Sequence, residues 1–486
     1  MSETTQMSMA AQVDETLSNW HSKQKDALEL IGITGKLWYD QSVELVLFRE
    51  TLVDKGVGEV LNQHLKTREV IQQELVIEVT LALAKVIQTM GLAPSKIDLG
   101  KLGSEWLNEK TDATSMTDFV TTKLKSFVGD DKINLEPKDV VLFGFGRIGR
   151  IALRLLVNST GGGQQLRIKA IVVRSANLKK RAELLRNDSV HGPFKGVIIE
   201  NYEKNELIIN GQTIKIIEGG KPNEIDYTSY GINDALLIDN TGAFKDREGL
   251  SLHLQAKGIS KVLLTAPGKG DLKNIVYAVN EKVLDENENI VSAASCTTNA
   301  IVPTLKVVND AFGISTGHIE TVHSYTNDQN LLDNIHKSSR RGRSAALNLV
   351  ITETGAGKAA AKALPELAGK LTGNAVRVPT PNVSLAILKL NFDKPVTKES
   401  LNATLKEESL RGHLVEQLLF SENDELVSSD VIGSVHTGVI DGPSTIVGAD
   451  GKSAVLYLWY DNEYGYTCQV LRLSKYFAQV RRLTYY

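Results

Sequence analysis

Read for its hydrophobic and polar positions, the chain changes texture near residue 130. Before that point, Ala11 to Leu30, Gln41 to Val57 and Arg68 to Met90 carry apolar residues at helical spacing, punctuated by Gly35, Gly56 and the run Gly91 to Pro94. Met116 to Phe127 reads as a shorter helix, so residues 1–130 are expected to form an all-α domain in which Trp20, Trp38, Tyr39 and Phe48 are core residues. The polar stretch Gly129 to Lys138 reads as a linker. Beyond it, short apolar runs (Val140 to Phe143, Ile168 to Val173) alternate with helical stretches such as Ile151 to Val157, the pattern of parallel strands joined by crossover helices. The expected fold class is α/β. A doubly wound sheet should span 137–295, and an α+β domain with a mixed sheet should span 296–459, with strands at Ala386 to Phe392 and Val455 to Trp459. Gly465 to Val480 reads as a final helix.

Two motifs add chemistry to this frame. Gly144-Phe-Gly-Arg-Ile-Gly149 lies between a predicted strand and a predicted helix. There Gly144 would permit a tight turn, Gly146 the close approach of a pyrophosphate, and Gly149 close helix packing, with Arg147 and Ile148 at the helix start. That context makes the doubly wound sheet a Rossmann dinucleotide-binding domain. The second motif is Ala-Ser-Cys-Thr-Thr-Asn at 294–299, where the extended segment Asn289 to Ala293 gives way to the helix-like run Ala300 to Phe312. A helix N-terminus stabilises a thiolate, so Cys296 is expected to be a nucleophile with its pKa drawn toward neutrality. His323, near the end of the strand-like Glu320 to Tyr325, is the candidate base. A cysteine and a histidine taken alone are more often structural, but beside a dinucleotide loop they suggest oxidation of an aldehyde through a thioester.

Composition narrows the setting. With 55 basic and 58 acidic residues, the chain has no general attraction for nucleic acid or membrane. Cys296 and Cys468 are its only cysteines, which excludes a disulfide framework, and no metal-ligand spacing occurs. The start, Met-Ser-Glu-Thr-Thr-Gln, lacks the features of a secretory leader, so a cytoplasmic location is expected.

From residue 137 to 480 the chain resembles the phosphorylating glyceraldehyde-3-phosphate dehydrogenase family. The matching stretches run in order: Gly144 to Arg150, Asp188 to Gly192, Asn240 to Phe244, Thr265 to Pro267, Ala294 to Asn299, His323, Arg340 to Ala346, Thr354-Gly355, Arg377 to Thr380, Val427 to Asp430 and Trp459 to Glu463. The resemblance implies that Cys296 attacks the aldehyde of glyceraldehyde 3-phosphate, with His323 as acid and base, and that inorganic phosphate cleaves the resulting thioester. It implies Thr326 and Arg377 for the substrate phosphate, and Ser295, Thr297, Thr354 and Gly355 for the attacking phosphate, with Arg343 serving the phosphate region. Thr241, Gly242 and Thr265 would line the cofactor, and Asn462 would hold the nicotinamide carboxamide. It further implies that 460–486 completes the cofactor domain, that the assembly is a homotetramer, and that the reaction belongs to glycolysis or gluconeogenesis.

The chain departs from that family at several points. Phe143 replaces an asparagine that braces the cofactor loop, and Ala300 replaces a second cysteine. No acid lies between Asp139 and Glu183, where a site favouring NAD carries one to accept from the ribose 2′-OH. Arg174 and Ser175 stand there instead, with Lys179, Lys180 and Arg181 nearby, so NADP is expected to be favoured over NAD, with both used. The extension over residues 1–130 is expected to bind another protein or to shape the oligomer. Two alternatives stand beside this reading: an erythrose-4-phosphate dehydrogenase, against which Thr354-Gly355 speak, and a non-catalytic regulatory or scaffold protein, against which the intact Cys296 and His323 speak.

Overall fold

The computed structural model describes residues 9–111, 113–128 and 135–486, so the start of the chain and residues 129–134 of the expected linker lie outside the described residues. The chain divides into two units, one of residues 1–135 with 481–486 and the other of residues 136–480.

The first unit is not all-α. Its long helix Met9–Gln41 is followed by a four-stranded sheet in the order Glu50–Thr51, Val43–Leu47, Ser95–Asp98, Leu483–Tyr485. The last three strands run parallel. Val43–Leu47 is a short, almost wholly buried run, apolar but for Glu44, and periodicity cannot distinguish such a strand from a buried turn of helix. The hairpin after it turns at Phe48 and Arg49, both in the left-handed region (φ 45° and 72°). The Asp98 carboxylate accepts both of their N–H groups, at 2.8 and 3.0 Å, and also caps the helix Leu99–Glu109. The expected helix Arg68 to Met90 is two helices, Val57–Ile71 and Ile77–Thr89. Leu30, Leu37, Leu45, Leu83, Ile87 and Ile97 meet in the core between helices and sheet.

The second unit holds the two expected α/β layers. Its first sheet runs Ile290–Ser292, Ile259–Leu264, Ala235–Asp239, Lys138–Phe143, Leu166–Val173, Gln212–Glu218, Glu206–Ile209, Ile198–Asn201. The first six strands are parallel and the last two antiparallel. Chain order reverses on either side of Lys138–Phe143, which makes the carboxyl end of that strand the topological switch point where dinucleotides bind. Val140, Leu142, Leu236, Ile238 and Ile171 are fully buried there, as expected for strands covered on both faces. The second sheet is mixed, in the order Val350–Glu353, Leu371–Val378, Ile314–Ser324, Ser384–Phe392, Ser453–Tyr460, Gly438–Asp441, Leu418–Ser421.

The final helix is Tyr464–Phe477, and it buries Tyr466, Val470, Leu473 and Phe477 in the core of the dinucleotide-type sheet. The expectation that all of 460–486 completes this domain is corrected at its tail, because Leu483–Tyr485 pairs with Ser95–Asp98 in the first unit. A strand of three residues is too short to leave a periodic signal.

Candidate active site

The glycine loop is built from contacts that only glycine permits. Gly144 has φ 94°, and a Cβ on it would lie 2.8 Å from Thr241 Cγ2. A Cβ on Gly149 would lie 2.4 Å from the Gly144 carbonyl oxygen, so the helix Arg147–Asn158 packs against its own loop more closely than any side chain allows. Gly146 differs from both. A Cβ there would meet nothing within 4 Å, so open space lies before the N-terminus of a 12-residue helix whose first N–H groups lack intrahelical partners. That cradle fits a pyrophosphate.

The Arg147 side chain is engaged elsewhere. Its Nε donates to Glu463 at 2.8 Å, and its terminal nitrogens reach Glu463 and Asp188. Asp188 also accepts the N–H groups of Val190 and His191, and His191 Nε2 lies 3.0 Å from Glu463. Burial works against the Asp188 anion, yet those N–H donors and Arg147 hold its carboxyl down at about 2. Arg147 therefore clamps the loop to two distant segments, and the backbone N–H groups of Arg147 and Ile148 are what the loop offers a ligand.

Across the switch point, Asp239 Oδ1 accepts both the N–H and the hydroxyl of Thr241 at 2.7 Å, next to Gly242 at φ 62°. Thr265 donates its hydroxyl to the Asp239 carbonyl at 3.1 Å. The buried Asp239 is held in turn by His253 (3.1 Å), and the Phe143 ring packs edge-on against His253 with centroids 4.7 Å apart. Phe143 thus joins a buried apolar layer, and the bracing of this loop comes from Asp239.

Cys296 is the first residue of the helix Cys296–Phe312, with Ser295 as its cap. Ala294 before it is left-handed (φ 55°). The turn is held by Tyr466 Oη donating to Ala294 O (2.9 Å) and by Asn299 Nδ2 donating to Ala293 O and Ser295 O (2.7 and 2.9 Å). The half-buried Sγ lies 3.6 Å from His323 Nε2. His323 Nδ1 lies 2.8 Å from Ser324 O, which Arg377 Nη1 also reaches at 2.9 Å. Arg377 Nη1 also lies 3.0 Å from Nδ1 itself; in the tautomer that donates from Nδ1 to Ser324 O, the Nε2 lone pair faces the thiol.

Burial pushes the Cys296 thiol up, against the pull of the Arg377 cation and of hydrogen bonds from Thr297. This corrects the expected drift toward neutrality, because the helix N-terminus is outweighed by desolvation. Burial, and then Arg377, push His323 down to about 3. The resting pair is therefore a neutral thiol facing a neutral imidazole.

Arg377 stands beside His323 in parallel register, and its Nη1 approaches Thr326 Oγ1 at 3.4 Å. Arg341 reaches the same hydroxyl at 3.4 Å and pairs with Asp328. The Nε atoms of both guanidiniums are buried without a hydrogen-bond partner among the described residues, as donors waiting for an anion would be. Arg343, expected to serve the phosphate region, is mostly exposed, and its Nε donates to Asp333 at 2.8 Å.

Thr297 Oγ1 is 2.9 Å from Tyr460 Oη, and Ser295 Oγ is 2.7 Å from Thr298 Oγ1. Thr354 and Gly355 form the N-terminus of the helix Ala356–Ala363, with Thr354 Oγ1 accepting from Ala356 N at 3.2 Å. Asn462 is buried, and its Oδ1 lies 3.0 Å from the hydroxyls of both Ser324 and Ser384, which fixes the amide with Nδ2 as its remaining donor. Arg174 and Ser175 are exposed at the end of Leu166–Val173. Among the described residues no cluster suits a metal ion, and no helix is long and apolar enough to cross a membrane.

The sequence reading missed Tyr460, Tyr466, Asp239, His253 and Arg341. Arg341, Asp188, His191 and Glu463 lay within quoted motif stretches without an assigned role. Tyr460 likewise lay within the quoted stretch Trp459 to Glu463, and Tyr466 had no local signal, being an aromatic position on a helix.

The family model for the glyceraldehyde 3-phosphate dehydrogenase NAD binding domain matches residues 138–247, and that for the C-terminal domain of the same family matches residues 295–462. A glyceraldehyde-3-phosphate dehydrogenase-like protein of Pseudomonas aeruginosa is 50% identical over 93% of this chain and 98% of its own length. The glyceraldehyde-3-phosphate dehydrogenase of Priestia megaterium is 42% identical over 69% of this chain and 96% of its own. Glyceraldehyde-3-phosphate dehydrogenase 1 of Bacillus subtilis is 41% identical over 69% of this chain and 97% of its own.

Proposed function

The chain belongs to the glyceraldehyde-3-phosphate dehydrogenase family, and on that premise we propose that it converts glyceraldehyde 3-phosphate and inorganic phosphate reversibly to 1,3-bisphosphoglycerate. The observation that carries this reading is the Cys296–His323 pair, 3.6 Å apart at a helix N-terminus, beside two guanidiniums whose Nε–H groups have no partner among the described residues. Cys296 Sγ adds to the aldehyde carbon as its proton passes to His323 Nε2. The new Nε2–H and the Cys296 backbone N–H then face the tetrahedral oxygen. The dinucleotide, when bound, supplies the hydride acceptor that turns the thiohemiacetal into a thioester. Phosphate attacks the acyl carbon, and the thiolate leaves and regains its proton from His323.

His323 is a poor proton acceptor in the empty site because Arg377 lies against it. A substrate phosphate on Arg377, Arg341 and Thr326 neutralises that cation and raises the basicity of His323 when the aldehyde arrives. Ser295, Thr297, Thr354 and Gly355 hold the attacking phosphate, and Asn462 Nδ2 orients the nicotinamide carboxamide. The cofactor is NADP or NAD, with NADP favoured through Arg174 and Ser175.

The assembly is a homotetramer, a reading supported by the exposed apolar side chains Leu331, Leu332, Ile335, Leu347 and Leu349. The N-terminal unit docks another protein, supported by the exposed Val13, Leu17 and Trp20 at helical spacing on Met9–Gln41. The chain works in the cytoplasm in the glycolytic or gluconeogenic direction. Steady-state rates with glyceraldehyde 3-phosphate and erythrose 4-phosphate, each with and without phosphate and with both cofactors, test the proposal. Preference for erythrose 4-phosphate with no dependence on phosphate would contradict it.

A further inference from the structure

Cofactor choice has so far rested on one strand, Leu166–Val173, which ends without an acid. The neighbouring strand supplies one. Gln212–Glu218 runs parallel to Leu166–Val173 with Glu218 level with Val173, and Gly219 N donates to Val173 O at 3.0 Å. Glu218 therefore stands on the same lip of the sheet as Arg174, one strand over. Its Oε2 accepts the N–H of Ala176 at 3.2 Å, which fixes the carboxylate against the turn after Val173. The residue is exposed, and among the described residues Oε1 makes no hydrogen bond and the carboxylate no ion pair. Arg181 folds back to the Ser175 carbonyl (3.3 and 3.1 Å) and is committed to that turn, whereas Arg174 is exposed with no ion pair among the described residues. The lip thus presents one anion and one cation that do not neutralise each other.

We infer that Glu218 is a specificity-determining residue: its carboxylate accepts from the ribose 2′-OH of NAD, while Arg174 pairs with the 2′-phosphate of NADP. This rests on the reading of the glycine loop as a nicotinamide dinucleotide site. A ribose hydroxyl is a hydrogen-bond donor and needs an acceptor, which an arginine cannot provide. A carboxylate provides it and repels a 2′-phosphate, whereas the arginine does the reverse. With both present the site takes either cofactor, and the balance between the two side chains sets the ratio. A rule that looks for the acid at the end of the second strand misses Glu218 because it is 44 residues past Arg174 in sequence and joins the lip only through strand pairing.

Titration calorimetry of the full-length protein with NAD and with NADP, for wild type, Glu218→Gln and Arg174→Asp, tests this. Glutamine keeps an oxygen for the Ala176 N–H, and thermal melting checks that the fold is retained. The expected result is that Glu218→Gln weakens NAD at least tenfold relative to NADP, and that Arg174→Asp shifts the ratio at least tenfold the other way. An unchanged ratio in Glu218→Gln, or an equal loss of both cofactors, would overturn the inference while the dinucleotide reading stands. Wild type that binds neither cofactor would overturn that reading and this inference with it.

Discussion

Gly146 and Gly149 lie three residues apart in one loop, and their surroundings predict opposite consequences for the same substitution. A Cβ on Gly146 would point into open space, so Gly146→Ala meets no clash and costs under about 1 kcal/mol, as a poorer helix cap. That space is where a phosphate oxygen must approach the loop N–H groups. A methyl group there displaces at least one charge-assisted hydrogen bond worth about 2 kcal/mol, which is about 30-fold in affinity. Gly149→Ala places its Cβ 2.4 Å from the Gly144 carbonyl oxygen, a backbone atom that cannot swing aside. Overpacking of this kind costs about 1–3 kcal/mol, more than the roughly 1 kcal/mol of helix propensity gained. Thermal melting and cofactor titration on both variants separate the cases. Gly146→Ala should melt close to wild type but bind the dinucleotide about 30-fold more weakly, whereas Gly149→Ala should lose stability as well as binding. Wild-type cofactor affinity in Gly146→Ala, or a wild-type melting temperature in Gly149→Ala, would refute this account of the loop.

Three further outcomes are expected. His323→Asn should lower kcat by about 10² to 10⁴, the worth of one positioned acid and base, with cofactor affinity unchanged by titration. His323 also sets a pH dependence. Its folded pKa of about 3 lies below the ordinary value near 6.5, so its contribution to stability is present above pH 6.5 and is lost as pH falls toward 3, where only the unfolded chain takes the proton. Between pH 6.5 and 4.5 wild type should therefore lose about 2–3 kcal/mol more than His323→Asn in urea unfolding, and parallel curves would show the ring is not held neutral. Finally, every candidate site residue lies between Gly144 and Tyr466. Removing residues 1–130 together with 481–486, whose strand pairs only within the N-terminal unit, should leave an active dehydrogenase of altered assembly size by light scattering. A folded but inactive product would show that the N-terminal unit contributes to catalysis.

How much was legible in the sequence follows from how local each determinant is. The glycine loop was readable because Gly144 and Gly149 answer to atoms within five residues or just across the switch point, and Cys296 because a helix start lies in the residues beside it. His323 was readable as a candidate, but its 3.6 Å approach to the sulfur depends on a strand from another part of the chain. The strand Val43–Leu47 was taken for helix because four apolar residues in a run of five fit either period. The neutral state of the Cys296–His323 pair was likewise hidden, since desolvation is a property of the packed chain. Glu218 was missed for the same reason as Tyr466. Each acts on a turn far from it in sequence, through strand pairing in one case and helix packing in the other.

The central claim is that Cys296 carries the substrate as a covalent acyl group. Intact-mass and peptide mass spectrometry of the protein mixed with glyceraldehyde 3-phosphate and oxidised cofactor, without inorganic phosphate, measure this directly. The account predicts an acyl adduct on Cys296 that disappears when phosphate is added and never forms in Cys296→Ser, a variant that should still bind the dinucleotide. An adduct on Cys468, or no adduct while reduced cofactor accumulates, would contradict it.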